Sequence, residues 1–67
     1  MKYMMNNLEQ QVFDMIEQDG IKATMTVFIR ALTEYSHSMS DLGIKERAYA
    51  AISAIDKINS IRKDIKD

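Results

Sequence analysis

The chain has 67 residues, 46% of them hydrophobic and 28% charged, with a formal net charge of −1 at pH 7. This length allows a single small domain spanning residues 1–67, and the absence of cysteine excludes a disulfide framework, thiolate metal sites and a cysteine nucleophile. The near-zero net charge gives no bulk attraction to nucleic acid or to an anionic membrane.

The two glycines of the chain divide it into three segments. Gly20 and Gly43 are each preceded, four residues earlier, by an apolar residue and followed by the dipeptide Ile-Lys. A glycine directly after a helix adopts the left-handed conformation without a Cβ penalty, and the next residue then packs back on the last turn. We therefore interpret both glycines as the same helix stop. The predicted contacts are Ile16 with Ile21 and Met39 with Ile44.

The first segment predicts a short helix over about residues 7–18. Asn7 followed by Gln10 resembles a capping box with asparagine in the first position. The apolar side chains of the segment recur at helical spacing and would share one face. They are Leu8, Val12, Met15 and Ile16.

The second segment predicts a long helix over about residues 22–42. Its apolar residues recur every three or four positions, which is the strongest periodic pattern in the chain. They are Met25, Phe28, Ile29, Leu32, Tyr35, Met39 and Leu42. At about 100° per residue they cover roughly 200° of the helix circumference, about twice what a surface helix of a monomer needs.

The third segment predicts a helix over about residues 45–66, because no proline interrupts it. Its apolar stripe is similarly wide and consists of Ala48, Ala51, Ile52, Ile55, Ile58, Ile61 and Ile65. Four alanines near its start make this end narrow enough for another helix to approach closely. Arg47 and Arg62 fall inside the stripe: either their aliphatic stems cover apolar surface, or their charged ends meet acids across an interface.

The pattern as a whole predicts an all-α fold. Helices 2 and 3 would form a long antiparallel hairpin, with helix 1 laid across them. Two wide stripes in a chain with no disulfide indicate a homo-oligomer, most simply a two-fold dimer whose hairpins make a four-helix bundle. The alternative is a monomer whose helix 1 and methionine-rich amino terminus cover the excess apolar surface. The predicted interface consists of Met25, Phe28, Ile29, Leu32, Tyr35, Met39, Ile52, Ile55, Ile58 and Arg62.

Charge is divided unevenly between the segments. Residues 1–20 carry a net charge of −3, residues 21–43 are neutral, and residues 44–67 carry +2. An acidic helix 1 would therefore favour a position beside a basic helix 3, although each exposed ion pair contributes only about 0 to 1 kcal/mol.

Few residues could support catalysis or metal binding. His37 is the only histidine, and Glu34 lies three residues before it, which is the ligand spacing found in di-iron helical bundles. On a helical wheel both fall on the polar side, so a solvated histidine with a carboxylate neighbour is the simpler interpretation. Ser36 and Ser38 point away from His37 and form no catalytic pair with it. We therefore expect no enzyme activity, no catalytic residue, no metal and no cofactor.

The remaining hypothesis is a small protein-interaction module that self-associates and acts as an adaptor, inhibitor or structural accessory. Its partner protein is not identified by the sequence. An alternative is a DNA-binding regulator that reads DNA with the start of helix 3, where Lys45, Arg47 and Tyr49 surround Glu46. A remoter alternative is a dimeric metal-binding bundle using Glu34 and His37. No apolar run approaches the roughly 20 residues that span a bilayer, so we expect a cytoplasmic protein with no membrane partner.

Overall fold

The computed structural model describes residues 4–66 and contains three α-helices within that range. They are α1 (Asn7–Asp19), α2 (Ile21–Asp41) and α3 (Lys45–Lys63), and the same range contains no strand. The helices α2 and α3 pack closely as a hairpin, which confirms the predicted all-α class. The helix α1 contacts α2, but no Cα atom of α1 lies within 8 Å of a Cα atom of α3. The prediction that helix 1 lies across both hairpin helices is therefore wrong.

The start of α1 is fixed by a capping box one residue earlier than predicted. The backbone N–H of Glu9 donates to Oδ1 of Asn6 at 2.8 Å, and the backbone N–H of Asn6 donates to Oε1 of Glu9 at 3.0 Å. Asn6 has extended backbone geometry and satisfies one of the orphan N–H groups of the first turn. The side-chain amide of Gln10 instead donates to Oδ1 of Asp14 at 2.9 Å. The carboxylate at the third helical position makes Asn6 the better cap.

Gly20 joins α1 directly to α2. Its N–H donates to the carbonyl oxygen of Ile16 at 2.9 Å and completes α1, while Ile21 is already the first residue of α2. Its φ of 94° and ψ of 167° lie in a backbone region that essentially only glycine adopts, and not in the left-handed helical region that we predicted. The two helices therefore meet at one residue, with no loop between them.

Gly43 provides the helix stop that the sequence predicts. It has a φ of 76°, and the N–H of Ile44 donates to the carbonyl of Met39 at 2.8 Å. The N–H of Gly43 itself donates to the backbone carbonyl oxygen of Ser40 at 3.0 Å, and the two bonds together form a Schellman motif. The interpretation of Gly20 and Gly43 as one device used twice is wrong: Gly43 turns the chain between antiparallel helices, and Gly20 bends it between consecutive ones.

The third helix ends earlier than predicted. Its last residue is Lys63, and the N–H groups of Asp64 and Ile65 donate to carbonyls only three residues back. Such tight bonds are common in the last turn of a helix, where no further residues are available to satisfy the carbonyl groups. Ile65 therefore lies beyond the helical stripe to which we assigned it.

The residues that the fold buries are small. Four of the described residues are buried, and we call them the small-residue core: Thr24, Ser36, Ala48 and Ala51. Because α3 contacts α2 and not α1, its two alanines are buried against α2. The hydroxyl of Thr24 donates to the carbonyl of Gly20 and that of Ser36 to the carbonyl of Thr33, each at 2.8 Å. These bonds remove the cost of burying the two hydroxyl groups.

The chain is more extended than an ordinary domain of its size. Its accessible surface is 5659 Å², whereas a folded monomer of this mass exposes about 4,300 Å². Its Cα radius of gyration is 14.1 Å, compared with about 11 Å for a compact domain of this length. Within residues 4–66, no helix is both long enough and apolar enough to cross a membrane.

Candidate interaction surface

An apolar groove runs along one side of the α2–α3 hairpin. It consists of two adjoining depressions, of about 430 Å³ and about 280 Å³, which share Leu32 and Tyr35. We call it the hairpin groove. Its lining residues are Phe28, Ala31, Leu32 and Tyr35 from α2, and Arg47, Ala50, Ala51, Ala54 and Ile58 from α3.

The groove is formed by the helical spacing of its residues. Phe28, Leu32 and Tyr35 are three or four positions apart in α2 and therefore lie on one face. On α3 the facing residues are mostly alanines, whose short side chains leave space that a larger residue would fill. Phe28 is 38% exposed and Tyr35 is 41% exposed. Two aromatic side chains thus stand beside an unfilled channel.

The structure places the predicted interface residues in three groups. Four line the hairpin groove: Phe28, Leu32, Tyr35 and Ile58. Four are half-buried and contribute nothing to the lining of the groove: Met25, Ile29, Met39 and Ile55. The other two are Ile52, which is 47% exposed and lies outside the groove, and Arg62.

Arg62 links the two hairpin helices within one chain. Its Nη1 donates to the hydroxyl of Thr26 at 2.9 Å, and its Nη2 donates to the side-chain oxygen of Asn59 at 2.8 Å. The guanidinium group is half-buried, and both acceptors are neutral. Arg62 therefore holds the open end of the hairpin together, a role that neither of our two sequence interpretations had included.

Among residues 4–66, Arg47 is the one charged residue that lines the groove. It is exposed and lies near Tyr35 and Leu32, at the end of the groove closer to the Gly43 turn. Within residues 4–66 its guanidinium group has neither a hydrogen-bond acceptor nor an ion-pair partner. An apolar channel with an unpaired cation at one end is complementary to an apolar segment that carries a carboxylate.

Further large apolar side chains are exposed outside the groove. In α1, Leu8 is 69% exposed, Phe13 is 45% exposed and Ile16 is 38% exposed, and no residue of that helix is buried. Around the hairpin turn, Leu42 is 68% exposed and Tyr49 is 67% exposed. Single exposed apolar residues are ordinary on a protein surface. What distinguishes this chain is that none of its larger apolar side chains within residues 4–66 is fully buried.

Glu34 and His37, the pair considered as metal ligands, lie three residues apart on α2. Both side chains are exposed on α2. Among residues 4–66, no three histidine or acidic side chains come together in a group that could hold a metal ion.

The arrangement of α2 and α3 also differs from a DNA-reading motif. In a helix-turn-helix, the second helix crosses the first at roughly 90–120°. Here Arg62, near the end of α3, bonds to Thr26, near the start of α2, so the two helices run side by side over most of their length. Lys45, Glu46 and Tyr49 are exposed at the start of α3, but Arg47 lines the hairpin groove.

Sequence reasoning missed several residues of this region. Ala31 lines the groove but is not distinctive on a helical wheel, because alanine occurs on any helix face. Ser36 is buried although it is polar, and its position offered a signal: it lies four residues after Leu32 and three before Met39. A small hydroxyl residue at this spacing within an apolar stripe indicates a close helix contact.

No protein-family model matches the chain, and no curated protein or solved structure shows significant similarity to it. The features that bear on function are therefore the hairpin groove and the chemistry of its lining.

Proposed function

We propose that this chain is a non-enzymatic interaction module of the cytoplasm that self-associates, most simply as a dimer, through the hairpin groove. The observation that carries the proposal is the mismatch between what the single chain buries and what it exposes. Its small-residue core contains nothing larger than threonine, whereas aromatic and aliphatic side chains line an open channel. Burial of apolar surface is the dominant favourable term in folding and association, so a second copy on this face would supply much of the missing stabilisation.

The exposed area supports the same proposal. The chain exposes about 1,300 Å² more surface than a compact monomer of its mass. A specific protein interface of standard size buries about 800 Å² on each partner. The excess is therefore large enough for one stable interface per chain.

The composition of the groove favours binding over catalysis. Its lining contains one ionisable cation, Arg47, one phenol, Tyr35, and otherwise alkyl and aromatic groups. A general acid–base or nucleophilic mechanism needs a titratable group beside a second one that activates or orients it. Aromatic anchors in an apolar channel are instead typical of the centre of a protein interface.

Sedimentation equilibrium at tens of micromolar protein tests the proposal. We expect a species of twice the 7.7 kDa chain mass that dissociates on dilution. A folded species that keeps the mass of one chain at every concentration would contradict it. The Phe28→Ala variant should shift the equilibrium toward the monomer, whereas Tyr49→Ala, which removes an exposed aromatic residue outside the groove, should not.

A gel-retardation assay at low salt separates this proposal from the DNA-binding alternative. We expect micromolar protein to leave mixed-sequence DNA unshifted. A shift that is abolished by Lys45→Glu would instead favour DNA binding through the start of α3.

A further inference from the structure

We infer that α1 of one copy occupies the hairpin groove of another, with an acidic side chain of α1 placed against Arg47. The inference rests on the proposed self-association and specifies which segment of the second copy fills the groove. Three observations carry it: the exposure of apolar side chains of α1 in its own chain, the match in length between α1 and the groove, and the opposite charges of α1 and α3.

In its own chain, α1 has few contacts for an amphipathic helix. Among the helices it contacts α2 and not α3, no residue of it is buried, and three of its large apolar side chains are more than a third exposed: Leu8, Phe13 and Ile16. An isolated helix of 13 residues is marginal in water and depends on packing of its apolar face. The single-residue junction at Gly20 leaves α1 out of contact with α3. A surface outside the chain can therefore cover these three exposed apolar side chains.

The dimensions of α1 match those of the groove. Thirteen residues of α-helix extend over about 20 Å. The α3 side of the groove runs from Arg47 to Ile58, which corresponds to about 17 Å of helix axis. Alanines line much of that side, so a third helix can approach α3 closely. The groove thus accommodates one helix of the length of α1.

The charges of α1 and α3 are opposite. Between Asn7 and Asp19 the helix carries four carboxylates and no basic residue, while Lys45–Lys63 carries five basic residues and two acidic ones. Because no Cα atom of α1 lies within 8 Å of a Cα atom of α3, no close pairing of the two helices uses this complementarity within one chain. The side-chain carboxylates of Glu17 and Asp19, like the guanidinium group of Arg47, make no hydrogen bond or ion pair within the described part of the chain. Docking α1 onto a second copy brings the acidic helix to the basic one and gives Arg47 a carboxylate.

An alternative dimer, in which the grooves of two copies face each other, would lack the pairing of Arg47 with a carboxylate. In a two-fold arrangement each copy contributes the same lining, so among the described residues Arg47 is the only charged one brought into the interface from either side. No carboxylate of residues 4–66 belongs to the lining of the groove. The observations therefore favour α1 as the occupant.

Cysteine cross-linking of the full-length chain tests the inference directly, because the natural sequence contains no cysteine. The test variant carries Ile16→Cys in α1 and Ala54→Cys in the groove. The matched control carries Ile16→Cys and Ser53→Cys, since Ser53 is exposed, adjacent to Ala54 in sequence and absent from the groove lining. Under mild oxidation we expect the test variant to form a covalent dimer at least tenfold faster than the control.

The products distinguish the competing arrangements. A covalent monomer of the test variant would show that α1 folds onto the groove of its own chain. Rapid dimerisation of Ala54→Cys alone would show that two grooves face each other. Either result overturns the inference.

The inference and the proposed function fail in different ways. Equal cross-linking rates in the test and control variants, combined with a dimer in sedimentation, would overturn the role of α1 and leave self-association intact. A monomer in sedimentation would overturn both.

Discussion

The small-residue core and the hairpin groove are adjoining parts of the same hairpin that differ in their largest side chains. The core brings α2 and α3 together through Ser36, Ala48 and Ala51, each at most 6% exposed. The groove borders this core at Ala51 and exposes Phe28 and Tyr35 of α2. Small residues set how closely the helices approach, while large ones supply most of the apolar area. The comparison indicates that the geometry of the hairpin is fixed within one chain, and it motivates the proposal that a second copy supplies much of the stabilisation.

The largest expected effect comes from enlarging a core residue. Ala48→Leu should destabilise the hairpin by about 2 to 3 kcal/mol, because Ala48 is 5% exposed and the added atoms would force α3 away from α2. Ala23→Leu is the matched control, since Ala23 is exposed on α2 and is absent from the groove lining. Urea unfolding of both variants measures the difference. Equal destabilisation would remove the distinction between the small-residue core and the exposed surface.

Truncating an aromatic residue of the groove should act mainly on association. Phe28→Ala should weaken the dimer by about 2 kcal/mol, or roughly 30-fold in dissociation constant, as expected for an aromatic anchor at an interface centre. Sedimentation equilibrium measures this change, and far-UV circular dichroism should show that the helix content is retained. An unchanged dissociation constant would place the interface elsewhere.

These two predictions also show what the sequence could and could not reveal. The spacing of Phe28, Leu32 and Tyr35 predicts both the α2 helix and one wall of the groove, because side-chain direction follows from helical periodicity. The position of Ser36 within this stripe indicates a close helix contact, but the extent of its burial depends on how closely α3 approaches. The alanines of α3 predict a close approach of another helix, but residue size alone does not indicate which alanines face α2 and which line a groove.

The polar parts of the fold were less predictable. Arg62 bonds to Thr26 across 36 positions of sequence, and no local pattern connects these residues. The φ and ψ angles of Gly20 depend on the direction in which α1 leaves α2, which is a tertiary property. Gly43 was predictable because a Schellman motif is closed by bonds among neighbouring residues.

Removing the polar link at the open end of the hairpin should have a smaller effect. Thr26→Val deletes the hydroxyl that accepts from Arg62 and should destabilise the chain by about 1 kcal/mol. Thr33→Val is the matched control, because the Thr33 hydroxyl donates only to the carbonyl of Ile29 in its own helix. Thermal unfolding of the two variants measures the difference. A larger loss in the control would argue against an interhelical role for Arg62.

The smallest expected effect concerns the charge at the end of the groove. Arg47→Glu should weaken the dimer by about 1 kcal/mol or less at low salt, since exposed ion pairs contribute little and are screened by added salt. Arg30→Glu, at an exposed position of α2 outside the groove lining, should leave the dissociation constant unchanged. Sedimentation at two salt concentrations measures both variants. A salt-independent effect of Arg47→Glu would contradict an electrostatic role.

The dependence of thermal unfolding on protein concentration tests the central claim most directly, because it uses the unaltered chain. If a second copy covers the exposed apolar surface in the folded state, mass action stabilises that state as concentration rises. We predict that the unfolding midpoint increases by several degrees for each tenfold increase in concentration, as expected when a change of about 1 kcal/mol shifts a small domain by about 4 to 8 °C. A midpoint that stays constant from micromolar to millimolar protein would contradict the account.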